Sequence, residues 1–114
     1  MPVFSIDEGT NNTHKFTILD EAGDPLQPSV ITLTHYDRLT GDILNSRTDQ
    51  DVLNTNNVTV TNGAVVWSMQ ILDNPILDTI LPAEIHVALW EWTTTDGEGK
   101  HETIFRVINL SKVP

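Results

Sequence analysis

Cysteine is absent from the chain, which excludes a disulfide framework and thiolate chemistry and suits folding in a reducing compartment. Positive charge is scarce: 6 Lys plus Arg stand against 16 Asp plus Glu, a formal net charge of −10 at pH 7. A field of that sign repels phosphate backbones and anionic lipid, so neither a nucleic-acid nor a membrane partner is expected. The opening MPVFSIDEGT lacks the basic and apolar regions of a signal peptide. No apolar run approaches the roughly 20 residues of a membrane span, and a soluble protein is expected.

Catalytic signatures are missing as well. There is no G-x-S-x-G elbow and no Gly-rich strand-to-helix loop for phosphate. The carboxylate pairs, such as Asp20-Glu21 and Asp49 with Asp51, fall in turn-like stretches where solvated acids are ordinary. His14, His35, His86 and His101 do not have the close spacing of a zinc site, and His86 reads as a hydrogen-bonded structural residue. The stretch Asn45–Asp51 offers oxygen ligands of the kind calcium uses, but it has no EF-hand spacing and contains Arg47. Sequons at Asn11, Asn57 and Asn109 carry little weight in a chain rich in Asn and Thr. The expectation is therefore a protein that is not an enzyme and holds no cofactor and no metal.

What is present is strand. One hundred and fourteen residues suit one domain, 1–114, and 39% of them are hydrophobic, clustered in strand-length runs. Asn62-Gly63 is the pair a type I′ turn requires, and it opposes Thr61 to Ala64, Val60 to Val65 and Val58 to Trp67. Val58, Val60, Val65, Trp67 and Met69 then share an apolar face, with Thr59, Thr61 and Ser68 on the wet one.

A second hairpin is predicted between Ile85 and Leu110, turning through Thr95–Lys100. One face carries Ala88, Trp90, Trp92, Phe105 and Val107. The other carries Ile85, Val87, Leu89, Ile104, Ile108 and Leu110, with Glu91 and Arg106 among them. Both faces are apolar, so the second needs a cover, either the Gln70–Ala83 segment or another molecule.

Lys15–Asp20 and Val30–Tyr36 read as further strands. In the turn after the latter, Asp37 can accept backbone amides and Gly41 suits a left-handed position. Ser46–Asn57 reads as a polar crossing loop, and Asn74-Pro75 and Leu81-Pro82 break any long helix in Gln70–Ala83. Residues 1–13 are either an extended arm or an edge strand, with the strand preferred. About seven short strands and no convincing helix point to an all-β fold, an antiparallel β-sandwich of immunoglobulin-like type, with a small barrel or jelly roll as the alternative.

Three phrases, ITLTHYDRLTGDILNSRTDQDVLNTNNVTV, HVALWEW and FRVINLSKVP, resemble small Ig-like structural proteins of tailed bacteriophages, over roughly Phe16 to the C-terminus. The resemblance implies a sandwich that assembles on the virion after synthesis in the host cytoplasm. A capsid decoration or cement protein is the first expectation, with the major capsid protein or other virion proteins as partners and a homo-oligomer as the assembled form. A neck or tail adaptor and a carbohydrate-binding module are the alternatives, the last stacking sugar on Trp90, Trp92 and Tyr36. No active-site residue transfers with the resemblance. The interface candidates are Trp90, Trp92, Phe105, His86 and Tyr36, chosen mainly because aromatic residues dominate interface energetics.

Overall fold

Two β-sheets packed on a shared apolar core make up the computed structural model, which describes residues 3–112. The strands are β1 (Val3–Asp7), β2 (Asn12–Thr17), β3 (Val30–Asp37), β4 (Gln50–Asp51), β5 (Val58–Thr61), β6 (Ala64–Met69), β7 (Ala83–Thr94) and β8 (Gly97–Ile108). The larger sheet has the order β1-β8-β7-β3-β4 and the smaller the order β2-β6-β5. Short 3₁₀ turns at Ile71–Asp73 and Leu110–Lys112 are the helical elements among the described residues. The protein is thus an all-β sandwich. One pairing departs from the antiparallel expectation: β1 runs parallel to β8, with Val3 opposite Ile104 and Asp7 opposite Ile108.

The β5–β6 hairpin has the expected register, Val58 to Trp67, Val60 to Val65 and Thr61 to Ala64. Its turn residues Asn62 and Gly63 have φ of 49° and 79°, as a type I′ turn demands. Val58, Val60, Val65, Trp67 and Met69 face inward and are buried. Trp67 meets Trp90 of the other sheet edge-on, with centroids 5.4 Å apart.

The β7–β8 hairpin turns more tightly than the sequence suggests. Thr94 pairs with Gly97, so the tip is Thr95 and Asp96, and the polar residues 98–100 belong to β8. The face sets are nevertheless those expected within the strands, because side chains alternate with period two along a strand, and only Leu110 falls beyond β8 in the 3₁₀ turn. Gly99 lies opposite Trp92, and a side chain at that position would collide with the Trp92 indole. A residue read as turn punctuation is in fact the bed of an aromatic ring.

The crossing loop is Asn- and Asp-rich for a backbone reason. Asn45, Ser46, Asp49, Asn54, Asn56 and Asn57 all have positive φ, a conformation those short polar side chains tolerate best. At its centre the cation is Arg47 itself. Its Nε donates to Asp73 Oδ1 at 2.6 Å and its Nη2 to Asp73 Oδ2 at 3.2 Å, both side chains being buried.

Candidate functional site

Strand order decides which hydrophobes remain at the surface. On the outer face of the larger sheet, cross-strand pairing aligns Val3 with Ile104, Ile104 with Val87 and Val87 with Tyr36. This apolar row crosses four strands. Leu89 flanks it on one side and Ile85 on the other, one pair further along each strand direction. Val87 is buried by its neighbours, Val3 is exposed, and Ile104, Tyr36, Leu89 and Ile85 are half-buried. Charged residues surround the row: Arg106 opposite Ile85, Glu102 opposite Leu89, and Glu91 opposite Lys100, whose ionic groups approach to 3.8 Å. An apolar centre within a polar rim is the anatomy of a protein contact surface.

The segment expected to cover this face does not close over it. Ile71, Leu77 and Ile80 are exposed, Leu81 is half-buried, and Ile76 packs against the core cluster from its margin. The segment is instead tied to the ends of the sandwich. Asn74 Nδ2 donates to the Thr10 carbonyl at 2.9 Å, and Asn109 Nδ2 donates to the Leu81 carbonyl at 2.9 Å.

A polar cluster lies at the end of the sandwich where β3 stops and β7 starts. Asp37 and His86 are cross-strand partners, and Glu84 shares the inner face with His86 two residues earlier. All three are buried. Asp37 Oδ1 accepts the amides of Leu39 at 2.9 Å and Thr40 at 3.1 Å, which fixes the turn after β3 as the sequence suggested. Glu84 accepts the amides of Leu77 and Asp78, which pins the incoming segment. His86 Nε2 lies 2.9 Å from Glu84 Oε1 and 3.7 Å from Asp37 Oδ2.

Asp37, Glu84 and His86 each offer one metal-ligand atom, all within 4.8 Å of one another. Both carboxylates are nevertheless already held by backbone amides, and His86 is bonded to one of them. The arrangement is explained as a clamp between two chain segments. Among the described residues, the hydrogen-bond partner of His86 is Glu84 Oε1.

Burial favours the neutral form of His14, His35 and His101. Burial, with help from the charge of neighbouring His86, pushes His35 down to about 3, and neither of its ring nitrogens has a hydrogen-bond partner. His14 is lowered by burial and by the charge of His101, and its Nε2 lies 3.0 Å from Thr103 Oγ1.

The five interface candidates are divided by this geometry. Trp90, Phe105 and His86 lie on the inner face, at 0%, 2% and 0% exposure, so they pack the core and present nothing to a partner. Trp92 is half-buried against the core and lies over Gly99. Tyr36 alone stands on the outer row. The correction follows from alternation: Trp90 opposes Leu33 on the inner face, whereas Tyr36 opposes Val87 on the outer one. For the same reason Trp90, Trp92 and Tyr36 do not form one platform for a sugar. The outer row was read in the sequence as a face needing a cover, whereas the Asp37–Glu84 pair went unremarked, although Glu84 and His86, two residues apart on a strand, must share a face.

No protein-family model matches the chain, and no curated protein matches it.

Proposed function

We propose that this chain is a non-catalytic structural protein of a tailed-phage virion, an Ig-like sandwich that decorates and cements the capsid through protein contacts. The observation that carries the reading is the row Val3, Ile104, Val87, Tyr36, in which Val3 stays exposed and Ile104 and Tyr36 half-exposed among the described residues. Aliphatic and aromatic area of this kind contributes about 25 cal/mol per Å² when removed from water, before the cost of association. Repetition over a symmetric shell multiplies a modest contact through avidity.

Support for the Ig-like part comes from the strand sets. The second, fifth and sixth strands form one sheet and the third, seventh and eighth lie together in the other, as the B, D, E and C, F, G strands do in that fold. The first strand is the departure, since it joins the larger sheet. Support for the phage part is the resemblance of the three sequence phrases.

Light scattering with size-exclusion, from micromolar to millimolar protein, tests the contact surface. The wild type associates or is retained on assembled shells, and Ile104→Glu abolishes both while circular dichroism stays unchanged. A wild-type chain that remains monomeric at millimolar concentration and ignores shells overturns the reading. Quantitative mass spectrometry of purified virions then separates the roles: copies on the order of hundreds mean decoration, about a dozen or fewer mean neck or tail.

A further inference from the structure

The end of the sandwich above the Asp37–Glu84 pair is concave, with a cavity of about 550 Å³. That volume falls within the range of sites that take ligands. Its walls are aliphatic, formed by Leu39 of the turn after β3, Leu77 and Leu81 of the incoming segment, and Ala83 and Ile85 of β7. Leu39 is 82% exposed and Leu77 44%, so the lip keeps large apolar side chains in water. The polar lining is mostly acidic: Asp37 and Glu84 inside, Asp42 and Asp78 at the rim, against the single cation Arg38. Among the described residues, neither rim acid forms an ion pair. Through Ile85 the groove runs into the outer face of the larger sheet.

We infer that this groove receives a basic side chain, arginine or lysine, carried between apolar residues on an extended segment of a partner protein. The inference rests on the reading that the chain works by protein contact. A long cationic side chain matches both surfaces at once, its methylene stem lying along leucine walls and its head meeting carboxylates. A neutral peptide leaves the rim acids Asp42 and Asp78 unanswered, and an acidic one is repelled. A metal ion fits less well, because Asp37 and Glu84 already accept backbone amides and Glu84 already engages His86.

The test is a ¹⁵N NMR titration of the full chain with the capped tripeptide acetyl-Leu-Arg-Leu-amide, and with its Leu-Gln-Leu counterpart as the neutral control. The arginine peptide produces saturable shifts in the amides of residues 38–42 and 77–85, and the glutamine peptide binds several-fold more weakly. Asp42→Asn and Asp78→Asn, both at exposed positions, each weaken the arginine peptide about two- to fivefold, the range of an exposed ion pair. Added salt weakens it in the same direction. Ile104→Glu, on the other surface, leaves peptide binding unchanged, so failure of the outer-face contact is not mistaken for failure of the groove. Absence of saturable shifts, or equal binding of the two peptides, overturns the inference. So does a zinc chloride titration that moves the His86 ring while the arginine peptide is silent.

Discussion

Arg47→Met is the substitution that most directly tests what holds this sandwich closed. Arg47 lies in the loop before β4, and Asp73 lies in the 3₁₀ turn after β6. The guanidinium grips both carboxylate oxygens, donates through Nη1 to Gln50 Oε1 at 2.7 Å and to the Asn56 carbonyl at 3.1 Å, and stands 5.4 Å from the centre of the Trp67 ring. Methionine fills much of the stem's volume but offers no donor. Asp73 is then left buried with Asn45 Nδ2 and the Gln70 amide as its donors among the described residues. Removing one partner of a buried pair costs about 3–5 kcal/mol. At roughly 2.1 cal/mol/K of unfolding entropy per residue, a domain of this length loses about 4 °C of Tm per kcal/mol, so the fall is about 12–20 °C. Calorimetry and urea unfolding measure it.

The pH dependence of that difference makes the test specific. Burial acts to raise the Asp73 pKa, but hydrogen bonds from Arg47, Asn45 and the Gln70 amide, with the Arg47 charge, outweigh it and hold the carboxyl below its ordinary 3.8. A depressed carboxylate contributes stability above its unfolded pKa and loses it as pH falls through the folded value. The gap between wild type and Arg47→Met therefore narrows as pH falls through the folded pKa of the variant, which loss of Arg47 raises, toward that of wild type below 3.8. The double variant Arg47→Met/Asp73→Leu loses less than the sum of the single changes, since no buried charge remains unpaired. A loss below about 1 kcal/mol, or a gap that does not change with pH, refutes the argument.

Two further perturbations have definite signs. His35 is lowered from 6.5 to about 3, facing His86, Asp73 and Arg47, so the unfolded state binds its proton first and stability is lost as pH falls below 6.5. Its share reaches about 2 kcal/mol by pH 5, and His35→Leu, which leaves no ring nitrogen unpaired, flattens the urea midpoint over that window. Gly63→Ala places a methyl within 2.8 Å of the Leu26 backbone and 2.7 Å of the Ile18 carbonyl, at a φ of +79°. It lowers stability by at least about 1–3 kcal/mol in thermal unfolding, and an unchanged Tm shows that this turn can move.

Local rules carried the sequence reading as far as local rules reach. Asn62-Gly63 dictates a turn geometry, the turn dictates a register, and the register dictates which of Val58 to Met69 face inward. The same alternation separated the two faces of β7 and β8 without knowledge of their exact pairing. Which of those faces is the core is a property of strand order, and there the choice of Trp90 and Phe105 as surface anchors failed. Arg47 was illegible for a different reason. An arginine in a polar loop normally reads as solvated, and its acid lies 26 residues away. The parallel partner of β1 was equally hidden, because parallel pairing leaves no hairpin turn to read.

The construction of the sheet edges is what directs the proposed association to the outer face and not to those edges. The β4 edge is two residues long and is flanked by backbone at positive φ, which leaves little extended ladder for another strand. In the smaller sheet, the β5 edge is four residues long and the β2 edge presents exposed Lys15. The β1 edge is five residues and ends in Asp7. Short and charged edges oppose strand addition, and the outer surface of the smaller sheet is lined mainly by Thr13, Lys15, Thr17, Thr59 and Ser68. The outer face of the larger sheet is built differently. Its row takes one residue from each of four strands, and the buried core cluster does not include Val3, Ile104 or Tyr36. The inner core does not require their apolar character, and the proposed contact with a second surface would use it. A lysine at any one of those three positions is therefore expected to leave Tm nearly unchanged while removing association, a separation that a purely structural role cannot produce.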